Sequence, residues 1–521
     1  MSTSAILKYV LILVLCLMVP ITDSANGDDT VELRQQANSA AEAAEDIETR
    51  ELYYRLAIAA ANDVRDETLL ASYRGLQTLL WQNERFTDAE QLCKGWLEVA
   101  AAVLGEQSSE FSDTAFLVAT THLRAKNRKM AADVAERGLK SVESQFPRES
   151  NEVFTAQSIV LNILFPAQMY ERADRLLDRQ AAVLTDFAPE DLKEPTQWQR
   201  DIFISLSRIR MIPYREDKSQ LTSLSKHIHE LLEAPETEST ADDVCSCHLE
   251  LATAFRGCGR FEDAYQELQR FSSHEDLTFD YTILLGQFVS LACFETGRAK
   301  EAAAESMKCL DLIKDDPDSD YGFGVRVSLA RSLGMQGKHV QAITVLRQAI
   351  AIETGHHGDE SEDLAFLRMY LAHEYQCQER FEEAREQLML ALAKLESSKD
   401  LVFGHSSCLQ ALRTAEACVG NLENAEKYRQ RATERLLENK YRSYDVATAD
   451  YFLNRSREFA ATEEWGIAEF LLASALSEAF DGGTAANGKR QEIYEELSRN
   501  LTEQGRKTEA QVYLQFAESL K

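Results

Sequence analysis

Residues 379–395 read ERFEEAREQLMLALAKL, and this stretch decides the fold. Glu379-Arg380 is a polar turn, and Phe381 follows it. From Phe381 the apolar residues Ala384, Leu388, Ala391, Leu392 and Leu395 fall at offsets of 3, 7, 10, 11 and 14. Those offsets trace a single stripe on an α-helix. The preceding segment, Leu364–Tyr375, has a second amphipathic helical pattern, so the two together predict a helical hairpin. Alanines at positions 384 and 391 let the helices approach closely, and Phe381 fills the space beside them.

The same grammar recurs along the chain. Paired small residues seven apart stand at Ala342/Ala349, Ala384/Ala391, Ala425/Ala432, Ala468/Ala475 and Ala510/Ala517, with first members 42, 41, 43 and 42 residues apart. Upstream, Ala302, Ala264, Ala173, Ala132 and Ala89 keep the register at spacings of 40, 38, 91, 41 and 43. The interval of 91 is two periods, which places a degenerate unit near Tyr214–Leu232. Three residues before the anchor alanine sits a large side chain: Phe86, Tyr170, Phe261, Phe381, Leu422 or Trp465. Polar turns such as Gly259-Arg260, Gly337-Lys338 and Gly505-Arg506 precede these residues, and glycine suits the left-handed end of a helix. A lone hairpin cannot bury both faces, so neighbours must stack. The fold expected is all-α, an α-solenoid of about eleven stacked helical hairpins over residues 64–521. Residues 28–63, rich in alanine, read either as an N-terminal cap or as a worn further repeat.

This pattern resembles the tetratricopeptide repeat, and its longer period of about 42 residues resembles the kinesin-light-chain-type subfamily. Ala102-Val103-Leu104-Gly105-Glu106 followed by Phe111–Leu123, and Ile352–Ala384 with Gly355-His356-His357-Gly358-Asp359-Glu360, have that subfamily's layout. The resemblance implies a peptide- or protein-binding scaffold. It also implies an asparagine pair facing the groove on the first helix, but here the matching positions are Leu117-Val118 and Met369-Tyr370. The basic carboxylate clamp of chaperone-binding members does not map onto this chain.

Composition narrows the function classes. The chain has 521 residues, 86 acidic against 56 basic, and a net charge of -30. Phosphate backbones demand a basic face, so nucleic acid is not an expected partner. An acidic surface favours a basic protein or peptide, steered electrostatically and weakened by salt. At 521 residues the chain exceeds what a single core supports, which agrees with repetition. Residues 1–27 carry Lys8, the apolar run Tyr9–Val19 and a small polar stretch Thr22–Gly27, the pattern of a secretory signal. The chain is therefore expected to be exported, periplasmic or secreted, with no membrane span after cleavage. If retained, the run would act as an anchor for an envelope assembly protein.

Ten cysteines, nine after cleavage, do not form the even, loop-rich framework of a disulfide scaffold. Most sit inside helical patterns and read as small core hydrophobes. The cluster Cys245-Ser246-Cys247-His248 with Cys258, the near-HExxH run His373-Glu374-Tyr375-Gln376-Cys377 and His227-Ile228-His229-Glu230 are the chemistry-bearing motifs. Each is explained more simply by core or solvated helix positions. Gly257-Cys258-Gly259 and Gly322-Phe323-Gly324 lack the preceding strand of a phosphate loop. No catalytic residue, cofactor or metal is expected; an enzyme or metal sensor built around Cys245, Cys247, His248 and Cys258, or around His373 and Glu374, is the third and least favoured reading. Asn454-Arg455-Ser456 and Asn500-Leu501-Thr502 fit glycosylation sequons. At the C-terminus, Val512 and Phe516 point toward the place of a following unit, which marks them as an apolar edge for a partner or a second copy.

Overall fold

The computed structural model describes residues 27–44, 46–61, 64–187, 197–214, 218–233, 240–271, 276–314, 321–358, 361, 363–397, 402–438, 446–481 and 486–520. The secretory-type segment lies outside these residues, apart from Gly27. Twenty-four α-helices account for nearly all the described chain. They form two compact units, one ending at Met211 and one starting at Ile212.

The first unit comprises α1 (Gly27–Ala43), α2 (Ile47–Ala59), α3 (Glu67–Gln82), α4 (Phe86–Leu104), α5 (Ser109–Arg124), α6 (Arg128–Gln145), α7 (Asn151–Leu164), α8 (Tyr170–Asp186) and α9 (Gln197–Met211). The second comprises α10 (Gln220–Leu232), α11 (Ala241–Gly257), α12 (Phe261–Phe271), α13 (Phe279–Glu295), α14 (Ala299–Leu312), α15 (Gly322–Met335), α16 (His339–His357), α17 (Asp363–Cys377), α18 (Phe381–Ser397), α19 (Val402–Cys418), α20 (Leu422–Glu438), α21 (Val446–Ala461), α22 (Trp465–Asp481), α23 (Asn487–Glu503) and α24 (Lys507–Glu518). Within each unit, helices adjacent in the chain pack side by side, apart from α20 and α21. This is an α-solenoid.

The alanine register is the stacking register. Ala89, Ala132, Ala173, Ala264, Ala302, Ala342, Ala384 and Ala468 are completely buried, and Ala425 and Ala510 nearly so. Every one lies in the second helix of its pair, where a methyl group permits close approach. Phe86, Tyr170, Phe261, Phe381, Leu422 and Trp465 each begin such a helix. The turns before the second helices are uniform. The residue two positions ahead has positive φ at Glu84, Lys126, Gln168, Gly259, Gly297, Gly337, Glu379, Gly420, Glu463 and Gly505. The next amide reaches back five residues, for example Arg380 N to Tyr375 O at 2.9 Å and Lys338 N to Leu333 O at 2.9 Å. This is the Schellman ending, which satisfies carbonyls that a terminating helix leaves unpaired.

First helices of neighbouring pairs also touch one another: α1 with α3 and α5 with α7 in the first unit, and α11, α13, α15, α17 and α19 in succession in the second. Second helices make no comparable contact, so within each unit the first helices form the inner side of the stack. In the second unit that side is covered by the chain itself. The helices α21–α24 double back, with α22 resting on α15 and α24 on α19. Phe261 stacks on Tyr451 and Phe452, with ring centroids 4.7 and 4.8 Å away. Arg455 donates from Nη2 to the Thr296 carbonyl at 3.3 Å. The Arg331 guanidinium lies 4.7 Å from the Phe294 ring and 5.0 Å from the Phe470 ring, which themselves pack 6.0 Å apart.

Candidate functional site

The exposed inner side of the first unit is short and mixed in chemistry. On α5 the solvent-facing stripe is Asp113, Leu117, Thr120 and Arg124; on α3 it is Ala71, Arg74 and Thr78; on α7 it is Thr155 and Asn162. Leu117 is 40 % exposed, whereas its neighbour Val118 is fully buried. The two positions compared with a groove asparagine pair therefore differ: one faces solvent and the other packs in the core. In the second unit, Met369 and Tyr370 are both half-buried against the core. A cavity of about 270 Å³ in the first unit is floored by Leu139, Val160, Leu164 and Leu176. Two cations at its rim are already paired, Arg179 with Glu143 at 3.1 Å and Arg172 with Asp133 at 2.7 Å. Its volume is below the range of typical small-molecule pockets.

Val512 and Phe516, expected at an open edge, are instead covered. Val512 is 5 % exposed and clusters with Ala417, Ala425 and Phe516. The Arg413 guanidinium sits 3.5 Å from the centre of the Phe516 ring, and it donates to the Tyr494 hydroxyl at 3.2 Å. The reason is the doubled-back path: the last hairpin meets α19 and α20 rather than an empty next position.

The cysteine reading holds for the described residues. Cys93, Cys245, Cys247, Cys258, Cys293, Cys309, Cys377, Cys408 and Cys418 carry no disulfide, and seven of the nine are buried. Burial pushes the Cys245 and Cys293 thiols up to about 12, which suppresses the reactive thiolate. Cys245, Cys247 and Cys258 do not gather with His248 as ligands.

His248 has other company. Its Nδ1 is 2.6 Å from Glu267 Oε1, and His229 Nε2 is 2.8 Å from the same oxygen. Thus the histidines of two separate sequence motifs meet on a carboxylate that neither motif contained. They come from α10 and α11, and Glu267 from α12. Glu267 is buried at 4 % exposure. Burial alone would raise its pKa, but the two imidazole hydrogen bonds outweigh that and bring it down to about 2. A sequence reading could find the two His motifs but not their convergence, since the three residues are spaced 19 apart across two turns.

The near-HExxH run is split by the fold. His373 is exposed and its Nε2 lies 3.7 Å from Cys377 Sγ. Glu374 points the other way, 2.8 Å from His339 Nδ1. Glu469 of α22 joins His373 and Cys377 in a compact group. Arg506 already occupies that carboxylate at 2.6 Å and also bonds Glu509 at 2.5 Å. The two sequons differ as well. Asn454 is exposed, but Asn500 is buried and donates from Nδ2 to the Trp465 carbonyl at 3.2 Å.

Comparison with known proteins adds little to these side chains. No protein-family model matches the chain. No curated protein matches it. Solved structures with helical repeats do. The apo form of RapI is 13 % identical, covers 69 % of this chain and 96 % of its own, and has a TM-score of 0.43. Aspartyl phosphate phosphatase F from Bacillus subtilis is 9 % identical over 79 % of this chain and 94 % of its own, with a TM-score of 0.42. BtubC from P. vanneervenii is 17 % identical over 48 % and 95 %, with a TM-score of 0.36. Function has to be argued from this chain's own surface.

Proposed function

We propose that the protein is a non-catalytic interaction scaffold of tetratricopeptide-like repeats, which holds an extended protein segment against the inner side of its first unit. One observation carries this reading: the second unit's inner side is covered by α21–α24, while the stripe through Arg74, Asp113, Leu117, Arg124 and Asn162 is left to solvent. Polar side chains with amide or charged ends can pair with a peptide backbone, and Leu117 offers an apolar contact at the centre. The net charge of -30 favours a segment with basic residues and an association that salt weakens. Contact through Val512 and Phe516 belongs to the proposal only in a state where α24 has lifted from α19. The pattern Lys8, Tyr9–Val19, Thr22–Gly27 supports export of the scaffold. The same apolar run, retained, supports the second reading of an anchored envelope assembly protein. Among the described residues no helix is long and apolar enough to cross a membrane.

The test is selection of binders from a displayed random-peptide library, followed by affinity measurement at low and high salt. The expected binders are enriched in Lys and Arg, lose affinity in salt, and lose it again on Leu117→Glu. Binders indifferent to Leu117→Glu, or no binders at all, would sink this reading. The mass of the exported chain decides between cleavage and retention of the apolar run.

A further inference from the structure

We propose that His229, His248 and Glu267 form a binding site for a divalent transition-metal ion, zinc first, that fastens α10 to the α11–α12 hairpin. The three potential ligand atoms, His229 Nε2, His248 Nδ1 and Glu267 Oε1, lie within 4.8 Å of one another. Two imidazoles and one carboxylate are a ligand set that zinc and its neighbours accept, and three protein ligands leave a position for water. The present separations of 2.6 and 2.8 Å are hydrogen-bond distances. A tetrahedral ion with bonds of ~2.0–2.1 Å needs ligand atoms roughly 3.3 Å apart, so each imidazole has to withdraw by about half an ångström. Binding also requires the two ligating nitrogens to give up their protons. A neutral imidazole can do so by carrying its proton on the other ring nitrogen, without a change of charge.

Two features favour this group over the other compact one. Glu267 carries hydrogen bonds from the two histidines, and no lysine or arginine is paired with it among the described residues, so an incoming dication has neither to displace. By contrast, Glu469 beside His373 and Cys377 is already neutralised by Arg506. The His248 ring is stacked on Phe271, with centroids 5.2 Å apart and planes 28° from parallel, which orients it in advance. His229 is partly exposed, at 21 % of its side chain, and provides a way in from solvent.

The consequence would be mechanical. Helix α10 buries only Leu221, Ser225 and Ile228. A metal bond between it and its neighbours would add to that modest apolar contact and make the start of the second unit dependent on the ion.

The full chain, stripped with chelator, is titrated with Co(II) and followed by visible d–d absorption, with Zn(II) as competitor. Expected is about one equivalent of Co(II) in a low-symmetry N/O environment, displaced by Zn(II), with a metal-dependent rise in melting temperature. His229→Gln removes a partly exposed ligand, and its metal-free circular dichroism should match that of the parent chain. Its affinity should fall by at least the ~10–100-fold that loss of even an outer-shell partner costs. His373→Gln should leave binding unchanged. Absence of a Co(II) spectrum, an affinity untouched by His229→Gln, or loss of binding on His373→Gln would each overturn the proposal.

Discussion

At the scale of single residues, buried charge is arranged in shared hydrogen bonds. In the C-terminal hairpin, Arg506 stands between Glu469 and Glu509, all three buried. One guanidinium cannot hold two carboxylates equally. Burial would raise the Glu469 pKa, but Arg506 outweighs it and keeps that group ionised. Burial and the Glu469 charge push Glu509 up to about 7 despite Arg506. Because the folded value lies above the unfolded one, folding takes up a proton between the two. The contribution is fully present below about pH 4.5 and is lost as pH rises through about 7. Unfolding measured between pH 5 and 8 should show stability declining by on the order of 2 kcal/mol from this group. Glu509→Gln should flatten that slope, and an unchanged slope would show that Glu509 is already ionised in the fold. The sequence marked neither Glu469 nor Glu509, because their burial depends on where the last hairpin lands.

At the scale of the element, the hairpin turns carry the test. Glu463 holds φ at 62° and Gly337 at 73°, at equivalent turn positions. A side chain in the left-handed region costs roughly 1–2 kcal/mol, part of which glycine gives back through its unfolded-state freedom. Glu463→Gly should therefore stabilise the chain by about 0.5–1 kcal/mol. Gly337→Ala should destabilise it by a similar amount, although no atom lies within 4 Å of the added methyl. Thermal or denaturant unfolding of the two variants checks both signs. Turns of this kind were legible in the sequence from glycine at Gly259, Gly337 and Gly505 and from the polar pair Glu379-Arg380, whereas those at Glu84, Lys126, Gln168 and Glu463 were recognisable only through the register of the following alanine. Within one helix, local spacing suffices: Phe381, Ala384, Leu388 and Ala391 are buried as the offsets required.

At the scale of the whole molecule, the doubled-back hairpins of the second unit are the largest departure from a simple stack. Arg331 on α15 is their central fastening, lying over the adjoining Phe294 and Phe470 rings and 5.6 Å from the Tyr370 ring. A guanidinium packed against aromatic rings contributes about 1–2 kcal/mol. Arg331→Ala should raise amide hydrogen exchange in α21 and α22 and leave exchange in α3–α8 unchanged. Uniform acceleration in both units would mean that Arg331 supports the solenoid generally rather than this contact. The covered inner side also explains why Val512 and Phe516 are not the open edge that their stripe positions suggested.

The sequence by itself determined the hairpin, its period and its stacking register. These depend on contacts within some forty residues, and such contacts leave a repeating trace of small and large side chains. It also supplied the charge that bears on a partner. Only the tertiary structure decided which inner side is covered, and that His229, His248 and Glu267 meet. Those outcomes depend on where the last hairpins of the second unit land and on side chains that no spacing rule relates. A periodic sequence specifies each step well, but the sum of the steps appears only in three dimensions.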